Sequence, residues 1–107
     1  MGPNVQLLLV LALLDVVGGD LDEAEEAVRK AHELGINDPY SMMNLAEYHA
    51  LLGKKGQAIE ELKHAFELGY SDPYFPMIIP AFQPIRFEPE FKIFFAGKGD
   101  VLKENPE

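Results

Sequence analysis

Three histidines, His32, His49 and His64, and eighteen acidic side chains are the groups of this 107-residue chain that could move protons or hold a metal. Such chemistry needs them gathered on one helix face or in one loop. The spacing does not gather them: no histidine has another at i+3 or i+4, and no H-E-x-x-H pattern occurs. His32 beside Glu33, and His64 with Glu67, read as solvated helix surface. Glu47 and His49 share one helical segment near a groove, where they could meet a peptide, with partial burial and no function as the competing reading. Cysteine is absent, which removes disulfides and thiolate metal sites. There is no Ser/His/Asp order, glycine-rich phosphate loop or nucleophile elbow. Gly18-Gly19 precedes a helix only as a turn, and Asp20, Asp22 and Glu23 already place negative charge where a phosphate would sit. The expectation is a chain with no catalytic, cofactor or metal site, and not an enzyme.

Composition narrows the partners as well. Eighteen acidic side chains against nine basic ones give a formal charge of −9, which repels phosphate backbones and anionic lipid headgroups. Nucleic acid and membrane are therefore not expected partners. Residues 5–14 are apolar except for Gln6, but Met1-Gly2-Pro3-Asn4 lacks the basic residues of a signal peptide, and Asp15 ends the run short of a membrane span. This stretch reads as a buried helix, and the expected compartment is the cytoplasm. With 48% hydrophobic residues the chain can fill one core, so a single domain over residues 1–107 is expected.

The elements follow from an internal period of 34 residues. Sliding the chain by 34 pairs Leu11 with Leu45, Ala12 with Ala46, Gly19 with Gly53, Ala24 with Ala58 and Ala31 with Ala65. Glu33-Leu34-Gly35 then falls on Glu67-Leu68-Gly69, and Asp38-Pro39-Tyr40 on Asp72-Pro73-Tyr74. Twelve identities occur in the thirty-six pairs starting from residues 5–40, where chance gives about two or three. Each unit predicts two antiparallel helices broken by glycine. The first helix covers residues 4–17 and stops at Gly18-Gly19. The next, with Asp20 as its N-cap, carries Leu21, Ala24, Val28, Ala31 and Leu34 as one apolar stripe. In the second unit Asp38 caps, Pro39 takes the first helical position, and the helix runs to about Leu52. Its partner spans residues 55–68, with Ala58, Ile59, Leu62, Ala65 and Phe66 inward. The six alanines at positions 12, 24, 31, 46, 58 and 65 are expected where helix axes approach closely.

Beyond Tyr74, prolines at 76, 80, 84 and 89 forbid a long helix and hence a third full repeat. Phe75, Ile78, Ile79, Phe82, Phe87, Phe91, Phe94 and Phe95 are expected to cover the open end of the stack. Pro89 should start a short helix ending near Gly97. The expected divisions are residues 4–37 for the first unit, 38–71 for the second, 72–97 for a degenerate unit or cap, and 98–107 for a flexible tail.

Leu11-Ala12, Gly19-Asp20, Ala24, Val28 and Ala31, with Leu45-Ala46, Gly53, Ala58, Leu62 and Ala65, resemble the tetratricopeptide repeat family. Residues 82–91 likewise resemble the F-x-P-L-R-x-x-P-x-F tail that closes repeat arrays of bacterial signalling proteins. The chain departs from the repeat pattern at Leu8 and Met42, where an early aromatic is usual, and at Asp15 and His49, where a later tyrosine is usual. The resemblance implies an all-α fold: a right-handed superhelical array of two antiparallel helix hairpins with a proline-rich cap and a short helix. It also implies a concave surface lined by the first helix of each unit, with Leu9, Leu13, Val16, Tyr40, Met43, Glu47 and Ala50 as partner-binding residues and Gln6 beside them. Basic residues that clamp a peptide carboxylate in some family members are missing here, so an apolar or basic peptide is the expected ligand, with methionine adapting to its shape. The implied function is a protein-binding scaffold within a bacterial signalling or regulatory protein. The alternative is a self-assembly element. Its seam, residues 7–17, holds Leu7, Leu8, Leu9, Val10, Leu11, Leu13, Leu14, Val16 and Val17, more apolar surface than one hairpin partner can cover, and it would join two copies as a homodimer.

Overall fold

The computed structural model describes residues 4–72 and 74–103, with side chains described through Ala96. Met1 to Pro3 of the expected non-signal N-terminus, Pro73 of the second Asp-Pro-Tyr and residues 104–107 of the expected tail lie outside them. The described residues are helical, with no strand. Helix α1 (Val5–Val17) starts where the Asn4 side chain accepts the Leu7 N–H at 3.2 Å, which satisfies one donor of the first turn. It stops at Gly18-Gly19, where Gly19 adopts φ 85°, a conformation a side chain would strain. Helix α2 (Leu21–Leu34) follows Asp20, which makes no capping hydrogen bond, contrary to what its residue type predicts. Its ψ of 69° is not the extended backbone that aims a capping side chain at the first-turn N–H groups.

Helix α3 (Pro39–Leu51) begins with the expected pair: Asp38 accepts the Ser41 N–H at 2.9 Å and Pro39 fills the first helical position. After a turn at Gly53, whose φ of 81° repeats that of Gly19, helix α4 (Lys55–Glu67) returns. The three-residue connections 18–20 and 52–54 force the chain to double back, and α1 packs on α2 as α3 packs on α4. α1 also packs on α3, which joins the hairpins.

The alanines at 12, 24, 31, 46, 58 and 65 are all fully buried. Each sits where a longer side chain would push two backbones apart, so Ala→Leu there would cost about 1–3 kcal/mol in strain. Leu9, Leu45, Ile59 and Leu62 fill the space around them. The α2 stripe is narrower than its spacing predicts. Ala24, Val28 and Ala31 are buried, whereas Leu21 and Leu34 at its two ends remain about half exposed.

The C-terminal residues close the α3–α4 end. A single-turn helix α5 (Phe75–Ile78) leads into a 3-10 helix (Pro80–Ile85) that packs on α3 and α4, and α6 (Pro89–Lys103) packs on α4. Phe82 and Ile85 are fully buried, and Phe91 and Phe95 nearly so. Burial of each such side chain is worth about 2–3 kcal/mol. Phe66 on α4 meets Phe94 and Phe95 edge-on, with centroids 5.5 and 5.7 Å away. Arg86 pins the segment by donating to the carbonyls of Pro76 and Ile79; Pro80, four residues after Pro76, has no N–H to offer that carbonyl, while Ile79 also accepts the Phe82 N–H. Two expected covering residues do not cover. Ile78 and Phe87 are more than two-thirds exposed. α6 also runs past Gly97 to Lys103, into the stretch expected to be a flexible tail, because no proline interrupts it after residue 89.

Candidate functional site

Tyr40, Met43 and Glu47 recur at spacings of three and four along α3, so they share one face of that helix. The structure brings this face into a cleft of about 250 Å³ with Asn44, with Gln6 from α1, and with Tyr70 and Phe75 from the chain that follows α4. Met43 is nearly buried, while Tyr40 is 59% exposed and stands at the rim. The Tyr40 and Tyr70 rings meet edge-on at 5.8 Å, and Phe75 stands 6.5 Å beyond Tyr70. Three aromatic side chains therefore wall a cleft that contains one carboxylate.

Glu47 is half-buried and forms no ion pair among the described residues. Burial pushes its carboxyl up to about 7, since water no longer stabilises the charge, and the Asn44 amide, donating from Nδ2 at 3.3 Å, offsets only part of this. Asn44 Oδ1 is buried without a hydrogen-bond partner among the described residues. Burial also pushes the Tyr70 phenol up to about 12, helped by the negative charges of Asp72 and Glu47 and by Tyr40. A carboxyl that titrates near neutrality is what a general base needs, but the lining holds no Ser, Thr, Cys, His or Lys to act with it. The arrangement suits binding: an acceptor pair framed by aromatic faces.

The other residues expected at the partner surface lie elsewhere. Leu9 is fully buried and Ala50 nearly so, which makes both core residues out of reach of a partner, and Leu13 and Val16 are half-buried against the same core. His49 does not share the cleft with Glu47. Two positions along the helix is a rotation of about 200°, and His49 turns instead to α4, with Nδ1 2.6 Å from Glu61 Oε1. Gln57 donates to the other Glu61 oxygen at 3.4 Å. Asn44, Tyr70 and Phe75 were not evident as site residues from the sequence. Asn44 lies three residues from Glu47 and could have been found by that spacing, whereas Tyr70 and Phe75 arrive through tertiary packing alone. Among the described residues no group of three or more His, Asp or Glu side chains could hold a metal ion. No helix among them is long and apolar enough to cross a membrane.

A second surface lies on α1, where Leu7, Leu11, Leu14 and Val17 are 44–77% exposed along one stripe. The 34-residue register explains it. Ser41, Leu45 and Tyr48, the counterparts of Leu7, Leu11 and Leu14 on α3, are buried, and α3 has the first hairpin packed against it. Among the described residues α1 has no such neighbour on that face. Comparison with protein-family models, with curated proteins and with solved structures gives no significant match, so the case for function rests on this geometry and on the repeat.

Proposed function

We propose that this chain is a non-catalytic protein-protein interaction module, a tetratricopeptide-type scaffold of two stacked helical hairpins, and that a partner polypeptide occupies the Glu47 cleft. One observation carries the reading: both hairpins and the segment after α4 contribute to the cleft, so it depends on the stacked arrangement. Support for the tetratricopeptide arrangement, a right-handed superhelix in that family, comes from the 34-residue period, the matched Gly19 and Gly53 turns and the six buried alanines. The resemblance of residues 82–91 to the tail of bacterial signalling arrays supports a role in a signalling or regulatory protein. Peptides selected from a displayed library test the reading. Binding to the wild type should fall at least about tenfold in Tyr40→Lys, a rim substitution that should leave the melting temperature within a few degrees. Equal binding by both proteins would place the partner elsewhere and sink it.

The α1 stripe favours a second reading, a structural element that self-associates. Four large apolar side chains exposed in one row are unusual on a protein without a partner there. Concentration-dependent association lost in Leu14→Glu would favour it.

A further inference from the structure

We propose that the Glu47 cleft is a lysine pocket, in which the ammonium of a lysine side chain on the partner polypeptide sits between the Glu47 carboxylate and the Tyr40 and Tyr70 rings. This deepens the interaction-module reading and rests on it. The argument is one of charge and shape. Glu47 is a half-buried carboxylate with one amide hydrogen bond and no cation among the described residues. Such a group is costly to leave uncompensated, and a desolvated cation is what compensates it. Among the described residues, Lys55 pairs with Glu88 and Lys63 with Glu60, both away from the cleft.

The walls select the kind of cation. Tyr40 and Tyr70 present aromatic surface beside the carboxylate, and ring faces attract an ammonium by their quadrupole. Met43 at the floor and Phe75 offer apolar surface to the four-carbon stem of lysine, which buries its methylenes while its head seeks charge. The groups that face Glu47 are Gln6 from α1, Tyr40, Met43 and Asn44 from α3, and Tyr70 and Phe75 after α4, with Asp72 close enough to Tyr70 to raise it. None of these described residues carries positive charge, so none of them repels the ligand. An acidic or phosphorylated peptide would meet the opposite field, as would any anion on a chain of charge −9.

The test uses an end-capped glycine peptide with one central lysine, and the same peptide with norleucine in its place, titrated into the full chain and followed by the Met43 methyl signal. The lysine peptide should shift that signal saturably, and the norleucine peptide should bind at least about tenfold more weakly. Because Glu47 must be ionised to hold the ammonium, affinity should rise as pH increases through about 7, and saturating peptide should lower the midpoint of the Glu47 carboxyl titration. Glu47→Gln should remove the preference for lysine and the pH dependence together. Tyr40→Leu, at an exposed rim position that folding does not need, should weaken the lysine peptide about threefold. Equal binding of the two peptides at the Met43 signal would overturn the lysine pocket and leave the interaction module standing. Unchanged lysine binding in Glu47→Gln would overturn it as well. Library peptides that bind without touching this cleft would instead defeat the broader reading.

Discussion

His49 on α3 and Glu61 on α4 clamp the second hairpin from inside, with Nδ1 and Oε1 2.6 Å apart and both side chains largely buried. Removing Glu61 leaves the His49 nitrogen without its partner, and removing His49 leaves Glu61 with the Gln57 amide alone. His49→Leu or Glu61→Leu should therefore each destabilise the chain by about 2–4 kcal/mol, while the double variant should recover much of that loss. Urea denaturation of the four proteins measures the coupling. Strictly additive losses would mean that the two groups do not depend on each other.

Glu47 makes stability depend on pH in an unusual direction. Its folded-state value of about 7 lies above the ordinary 4.5, so between these values the folded chain holds a proton that the unfolded chain has released. Stability from this group is full below about pH 4.5 and is lost as pH rises to about 7, by up to ~3 kcal/mol. The difference between wild type and Glu47→Gln isolates it. Above pH 7 the variant should be the more stable of the two, and a difference that stays flat with pH would contradict the burial argument.

Arg86 should matter more than its half-buried position suggests, because its fork serves two main-chain carbonyls at once. Arg86→Ala should cost about 1–3 kcal/mol, and Arg86→Lys should restore only part of it, since an ammonium lacks the planar fork. Hydrogen exchange should show α6 and the 3-10 helix opening before α1 and α2 do. Uniform exchange across all helices would argue that the cap is not a separate unit.

On α1, Leu14→Glu replaces a side chain that is 63% exposed, so it should change monomer stability by less than about 0.5 kcal/mol. Sedimentation velocity over a wide concentration range should show self-association in the wild type and its loss in the variant, if this stripe joins two copies. A monomeric wild type at high concentration would dismiss the self-assembly reading.

Most boundaries of the two hairpins were legible because their signals are local. Asp38, Pro39 and the Gly19 and Gly53 turns act within a few residues of themselves, and the six alanines stand out through a fixed period. Contacts that depend on the fold closing were not legible. Nothing at His49 points to Glu61 twelve residues away on the opposing helix, and nothing at Tyr70 announces that it will face Tyr40. The family resemblance puts Leu9 and Ala50 on a partner surface, but which neighbour covers a helix face is decided by stacking, and here it buries both. Ile78 ends the single-turn helix α5 and Phe87 lies in the turn between the 3-10 helix and α6, so neither sits in an element long enough for a periodic count to fix which way it faces.

Intermolecular nuclear Overhauser contacts between a library-selected peptide and the full chain test the central claim most directly. Contacts from the peptide to the Met43 methyl and the Tyr70 ring are the predicted result. Contacts confined to Leu14 and Val17 on α1, or to Phe87 and Ile93 at the cap, would contradict it.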